Sequence, residues 1–115
     1  MPAGYQEIFL EQGTDFNTSI TLDDVNGVPY DLTDMEAKSQ VKKSYYSSTP
    51  IAQFDISITA DSAVKGIINM SLDSEVTSNI AAGRYVYDVM IKDTSNTVTR
   101  ILEGTLNVLP QVTKF

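Results

Sequence analysis

Apolar and polar side chains alternate with a period of two along most of this chain, the pattern of strands that bury one face. Phe16, Thr18, Ile20 and Leu22 alternate with Asn17, Ser19 and Thr21 in a first predicted strand. Asp23-Asp24-Val25-Asn26-Gly27 then supplies a turn, because Asn and Gly tolerate positive φ. Val28 to Leu32 reads as a short extended piece, placed by Pro29 at a sheet edge or a strand start, since proline donates no ladder hydrogen bond. Ala37, Ser39 and Val41 alternate with Lys38, Gln40 and Lys42 in a further strand. Beyond a loop at Ser47-Ser48-Thr49-Pro50, Phe54, Ile56 and Ile58 alternate with Asp55, Ser57 and Thr59. Asp61 to Gly66 turns the chain into another strand over Ile68 to Leu72.

One stretch breaks the period. Leu72, Val76 and Ile80 recur every four residues, which predicts one or two turns of helix near residues 73–82. Ser71 or Asp73 is placed to cap its start, and Gly83 to end it in the left-handed conformation.

Arg84 to Lys92 and Thr97 to Leu109 then close the fold as a hairpin over Asp93-Thr94-Ser95-Asn96, with Pro110 stopping the last strand and 110–115 left as a tail. Pairing Lys92 with Thr97 sets Tyr87 against Leu102, Val89 against Arg100 and Tyr85 against Gly104. Tyr85, Tyr87, Val89, Ile91, Leu102, Leu106 and Val108 then share the face expected to enter the core. Arg84, Val86, Asp88, Met90, Ile101, Glu103 and Thr105 share the other, where Arg84 and Glu103 are expected to pair diagonally. Val86, Met90 and Ile101 form an apolar strip on that outer face, the candidate protein interface.

Roughly seven short strands with turn signals between them predict an all-β, immunoglobulin-like antiparallel sandwich. The order helical turn, glycine, Tyr-x-Tyr resembles the entry to strand F of such sandwiches, where a tyrosine anchors the corner. The cysteine pair and core tryptophan of true immunoglobulin domains are absent. At 115 residues the chain is expected to form a single domain over 1–115, with no repeat or linker, long enough for one core. Met1 reads as a natural start, and the residues after it lack the basic and apolar regions of a signal peptide.

Charge narrows the partners. The net charge is −7, and every charged residue from Met1 to Glu36 is acidic. That balance disfavours a phosphate-tracking surface, so no nucleic acid is expected, and no apolar run is long enough to imply a membrane span. Lys38, Lys42 and Lys43 with Tyr45-Tyr46 form the one basic and aromatic cluster, read as a solvated strand end with its loop.

Catalytic chemistry finds little to use. With no His and no Cys, histidine triads, thiol nucleophiles and thiolate zinc sites are excluded, and no phosphate-cradling or nucleophile-elbow string occurs. Asp23-Asp24 is the obvious carboxylate pair and reads as a solvated turn, and the stretch from Leu22 to Thr33 fails the calcium-loop template at both ends. Asn17-Thr18-Ser19 and Asn69-Met70-Ser71 match the glycosylation sequon, a frequent chance match. No catalytic residue, metal or cofactor is expected.

Gln12-Gly13-Thr14-Asp15-Phe16, the Asn26-Gly27 turn before Asp31-Leu32-Thr33-Asp34, and Ala37-Lys38 form one set of motifs. Ala82-Gly83-Arg84-Tyr85-Val86-Tyr87-Asp88, Val98-Thr99-Arg100-Ile101-Leu102-Glu103-Gly104 and Pro110-Gln111-Val112-Thr113 form the other. Together they resemble a small domain of tailed-bacteriophage virions, similar to the N-terminal domain of phage upper baseplate proteins and to stand-alone short structural proteins. The resemblance implies an immunoglobulin-like sandwich without catalytic residues, a tail, baseplate or neck adaptor or a capsid decoration subunit. It implies many copies in the virion after assembly in the host cytoplasm, with other virion proteins or further copies of the chain as partners. The fibre-forming helical region of the longer proteins is missing, so their trimeric architecture is not expected. A carbohydrate-binding or host-surface adhesion module is the alternative, with Tyr45 and Tyr46 near Tyr30 as its candidate aromatics.

Overall fold

A computed structural model describes residues 4–23 and 26–114; Asp24, Val25 and the two chain ends lie outside the described residues, and with them half of the Asp23-Asp24 pair. The chain folds as an all-β, immunoglobulin-like sandwich. One sheet orders β1 (Gly4–Tyr5), β9 (Val98–Leu109), β8 (Gly83–Lys92), β4 (Glu36–Lys42) and β5 (Ala52–Gln53), with β2 (Ile8–Glu11) also on β9. The other orders β3 (Phe16–Thr21), β7 (Ile67–Leu72) and β6 (Asp55–Ser57). Two short helices, α1 (Ala60–Val64) and α2 (Ser74–Ser78), lie on either side of β7 in the chain. The orders β9-β8-β4 and β3-β7-β6 correspond to strands G-F-C and B-E-D of the immunoglobulin pattern.

The expected all-antiparallel pairing fails at one place. β1 and β2 run parallel to β9 in a single register, from Gly4 opposite Leu102 to Glu11 opposite Leu109. This N-terminal edge was not visible in the periodicity, because its pieces are short and gain stability only from a strand nearly a hundred residues away. Ile8 and Leu10 plug the core, while Tyr5, Phe9 and Glu11 face outward.

The hairpin is offset from the expected pairing in two steps. Asp93 N–H donates to the Thr97 carbonyl, and Asp93 Oδ1 accepts from the Ser95 and Thr97 amides at 2.9 Å each, leaving a three-residue loop. Asn96 takes the left-handed conformation there (φ 64°), as this loop type requires. The shorter loop moves the register by one residue. A β-bulge between Val89 and Met90 moves it by another, because Arg100 pairs with Met90 and Leu102 with Val89, so that Ile101 has no opposite residue.

The two offsets restore the alternation, and every inward residue expected in the hairpin is buried. They also change partners. Tyr87, rather than Tyr85, faces Gly104, and Arg84 faces Asn107, so the expected Arg84–Glu103 pair is not formed. Arg100 bridges Glu103 (3.1 Å) and Asp88 (3.4 Å) instead.

The helix is shorter than expected. Asp73 caps it, Oδ1 accepting from the Val76 amide at 3.0 Å, but Asn79 ends it and Gly83 already belongs to β8. Val76 is exposed; Thr77 is buried in its place, its hydroxyl donating to the Thr14 carbonyl at 2.7 Å. Asp61 to Gly66, expected as a turn, holds most of α1, which starts at Ala60.

At the corner, Tyr85 Oη donates to the Ala81 carbonyl at 2.6 Å, the corner tyrosine of immunoglobulin-like folds. Gln12 ties the same corner to the N-terminal edge, Nε2 donating to the Ile80 carbonyl at 2.8 Å. Between the sheets, the Phe54 ring meets Tyr87 edge-on and Phe16 at a tilt, each with centroids 6.1 Å apart.

Candidate functional site

The outer face of the larger sheet carries the residues singled out from the sequence. Period-two alternation along β8 sends Val86, Asp88 and Met90 outward. Val86 lies between Lys42 and Thr105, and Met90 between Lys38 and Arg100. Ile101 is not on this face. The one-residue loop offset puts it in phase with Thr99 on the inner side, where it is only 6% exposed. The bulge then brings Leu102 inward as well, so the expected strip reduces to Val86 and Met90.

An open groove of about 310 Å³ crosses this face, lined by Gln40, Lys42, Tyr45, Val86, Met90 and Arg100. The Asp88–Arg100 and Arg100–Glu103 ion pairs sit beside it, so the Arg100 charge is matched within the chain, while Lys42 lines the groove with no ion pair among the described residues. Lys43 turns away to the Tyr85 ring, its Nζ 4.9 Å from the centroid. The three lysines therefore form no continuous basic stripe.

Two aromatics extend the face at its edge. Tyr5 and Phe9 are each 62% exposed. Tyr5 Oη lies 3.4 Å from Thr105 Oγ1, which holds the ring beside β9. Glu7 sits between them in sequence and accepts from Asn107 Nδ2 at 2.8 Å. Sequence reasoning missed both aromatics. The available signal was the spacing of Tyr5, Glu7, Phe9 and Glu11 against Ile8 and Leu10, an alternation too short to stand out.

The other candidates are dispersed. Tyr45 is exposed and Tyr46 is 98% exposed, but Tyr30 lines a separate depression with Leu22, Ile91 and Ile101, toward the other end of β4. Asp31 accepts from the Thr33 hydroxyl and amide, which hold its carboxyl below the usual range; this is turn chemistry on an exposed loop. Among the described residues, no group of three or more Asp, Glu, His or Cys is placed to hold a metal, and no helix is long and apolar enough to cross a membrane.

Among the described residues, Tyr87 is the one strongly shifted group. Burial first, and the neighbouring Tyr5 second, push its phenol from 10.0 up to about 12. The folded state therefore holds the proton more tightly than the unfolded chain does. Stability is retained in full below pH 10.0 and falls as the pH rises toward about 12. Urea titrations across that window should show the decline, and Tyr87→Phe should remove most of its slope. An unchanged slope in the variant would assign the decline to other groups.

No protein-family model matches the chain, and no curated protein matches it. Among solved structures, the crystal structure of CopC from Methylosinus trichosporium OB3b is similar at 12% identity and a TM-score of 0.43, covering 85% of this chain and 100% of that one. A likeness of that depth bears on neither site nor function.

Proposed function

We propose that this chain is a non-enzymatic structural subunit of a tailed-bacteriophage virion, a tail, baseplate or neck adaptor or a capsid decoration protein, working through protein–protein docking. The resemblance of its opening and closing motifs to the phage domain motivates the reading. The observation that carries it furthest is the outer sheet face, where Tyr5, Phe9, Val86 and Met90 stand beside an Arg100 already paired with Asp88 and Glu103. Such a face gains about 25 cal/mol per Å² of apolar area on burial. The acidic residues described in the N-terminal third are spread instead over the sheet edge (Glu7, Glu11), the turn before β3 (Asp15), the loops after it (Asp23, Asp31, Asp34) and the start of β4 (Glu36). Exposed charges set apart in this way contribute little each.

Met90→Asp tests the reading. Lys38 and Arg100 flank the position, so the domain should stay folded, whereas docking would bury a carboxylate. Particles from infected cells should contain the parent chain at tens of copies or more by quantitative proteomics and exclude the variant. Absence of the parent from mature particles overturns the virion assignment. Normal incorporation of Met90→Asp, alongside failure of a variant neutralising Asp23, Asp24, Asp31 and Asp34, moves the interface to the acidic stretch.

A second reading has one observation in its favour, the exposed Tyr45 at the mouth of the groove with Gln40 and Lys42. A carbohydrate-binding module would use that ring as a stacking platform. Glycan-array binding that disappears in a Tyr45→Ala, Tyr46→Ala variant would favour it over the virion reading.

A further inference from the structure

We propose that the free edge of β3 is a strand-addition site for an extended segment of another protein that carries cationic residues eight positions apart. Unpaired sheet edges are templates for a further strand, and proteins usually blunt them with charge, proline or shortness. Three of the edges here are blunted. β5 spans two residues, β6 three with Asp55 among them, and the β1–β2 edge is interrupted and carries Glu7 and Glu11. β3 has none of these protections. It runs for six residues, Phe16-Asn17-Thr18-Ser19-Ile20-Thr21, without a charge or a proline, and among the described residues nothing pairs with its outer side.

The backbone groups on offer follow from the ladder. The Leu22 amide donates to the Gly66 carbonyl at 2.8 Å, continuing the β3–β7 register. Alternation then gives Phe16, Thr18 and Ile20 the bonds to β7, and leaves Asn17, Ser19 and Thr21 aiming N–H and C=O off the edge. The same three side chains lie on the outer, polar face, where Ser19 Oγ donates to Asn69 Oδ1 at 2.7 Å.

Charge selects the occupant. Asp15 and Asp23 bracket the edge. Asp23 falls on the outer face by alternation, and Asp15, one of whose oxygens accepts from the Ser74 amide at 2.7 Å, presents the other at the opposite end. A second copy pairing antiparallel about Ser19 would set Asp15 of each chain against Asp23 of the other, like charges at both ends on a chain of net charge −7. A segment with Lys or Arg opposite both aspartates meets complementary charge instead. This edge lies in the smaller sheet, away from the face proposed to dock in a virion, and the inference does not depend on that reading.

The test uses the full chain, labelled for amide NMR, with the synthetic nonapeptide Lys-Val-Thr-Val-Thr-Val-Thr-Val-Lys and its counterpart ending in Glu. The lysine peptide should shift the Asn17, Ser19 and Thr21 amides and slow their exchange, and should bind more tightly than the glutamate peptide. Ser19→Pro removes an outward N–H that β7 does not use and should abolish binding. Asp23→Lys leaves the ladder untouched and should weaken the lysine peptide by about three- to fivefold, the scale of one exposed ion pair. Three results would overturn the proposal: perturbation confined to other edges, equal binding of both peptides, or a dimer of the chain alone that Ser19→Pro dissociates. The last would assign the edge to a second copy.

Discussion

Replacing Tyr87 with alanine is expected to destabilise the domain by about 3–5 kcal/mol, the usual cost of emptying a buried aromatic site. The ring is 2% exposed, meets Phe54 edge-on between the sheets, and closes over Gly104. Its hydroxyl donates to the Gln6 carbonyl at 2.7 Å, so the same side chain fastens the N-terminal edge to the hairpin. Against a total stability of about 5–15 kcal/mol, the loss should lower the thermal midpoint by about 10–20 °C. Tyr87→Phe separates the two contributions. It keeps the ring and loses one hydrogen bond, for about 0.5–1.5 kcal/mol. Calorimetry and urea unfolding of the pair check the ordering. A Tyr87→Ala midpoint within about one degree of the parent would contradict the packing described here.

The inner face of the hairpin was legible in the sequence because it depends only on parity. Tyr85, Tyr87, Val89, Ile91, Leu102, Leu106 and Val108 stay together whether the register slips by two residues or not at all. The register itself was not legible. It depends on the Asp93 carboxylate gathering two amides, on a left-handed Asn96 and on a bulge at Ile101, and the alternation encodes none of these. The loop offset separates Ile101 from Val86 and Met90, so two residues of the expected strip lie on the outer face and the third is buried.

The corner tyrosine could be found because its motif is local, with Tyr85 and Ala81 four residues apart. Tyr5 and Phe9 could not, since their position follows from pairing with Glu103 and Asn107 at the far end of the chain. The helix shows the same division. Asp73 was readable as a cap, but the buried position fell to Thr77 rather than Val76 because Thr14 offers a carbonyl to a hydroxyl.

The attachment of that N-terminal edge can be broken at a single position. A Cβ on Gly104 would lie 1.8 Å from the Gln6 carbonyl oxygen and 3.2 Å from the Tyr87 ring, and the nearer obstacle is backbone that cannot rotate aside. Gly104→Val is therefore expected to push Gln6 off β9, breaking both the Gln6 amide bond to the Glu103 carbonyl (3.0 Å) and the Tyr87–Gln6 bond. Overpacking of this kind costs about 1–3 kcal/mol, and more where backbone must move, so the expected value lies at or above the top of that range. Gly27→Ala is the control. It introduces a side chain at φ +78° with nothing within 4 Å, and should cost only about 1 kcal/mol of conformational strain. Hydrogen exchange distinguishes local detachment from global loss. In Gly104→Val the amides from Gln6 to Gln12 should exchange much faster, while those shared by β4 and β8 keep most of their protection. If the N-terminal amides keep their protection in the folded variant, the tight Gln6–Gly104 approach does not hold the edge in place. If they lose it, Tyr5 and Phe9 leave the outer face with them, and the proposed docking role then requires the variant to incorporate poorly into particles although Val86 and Met90 are unchanged.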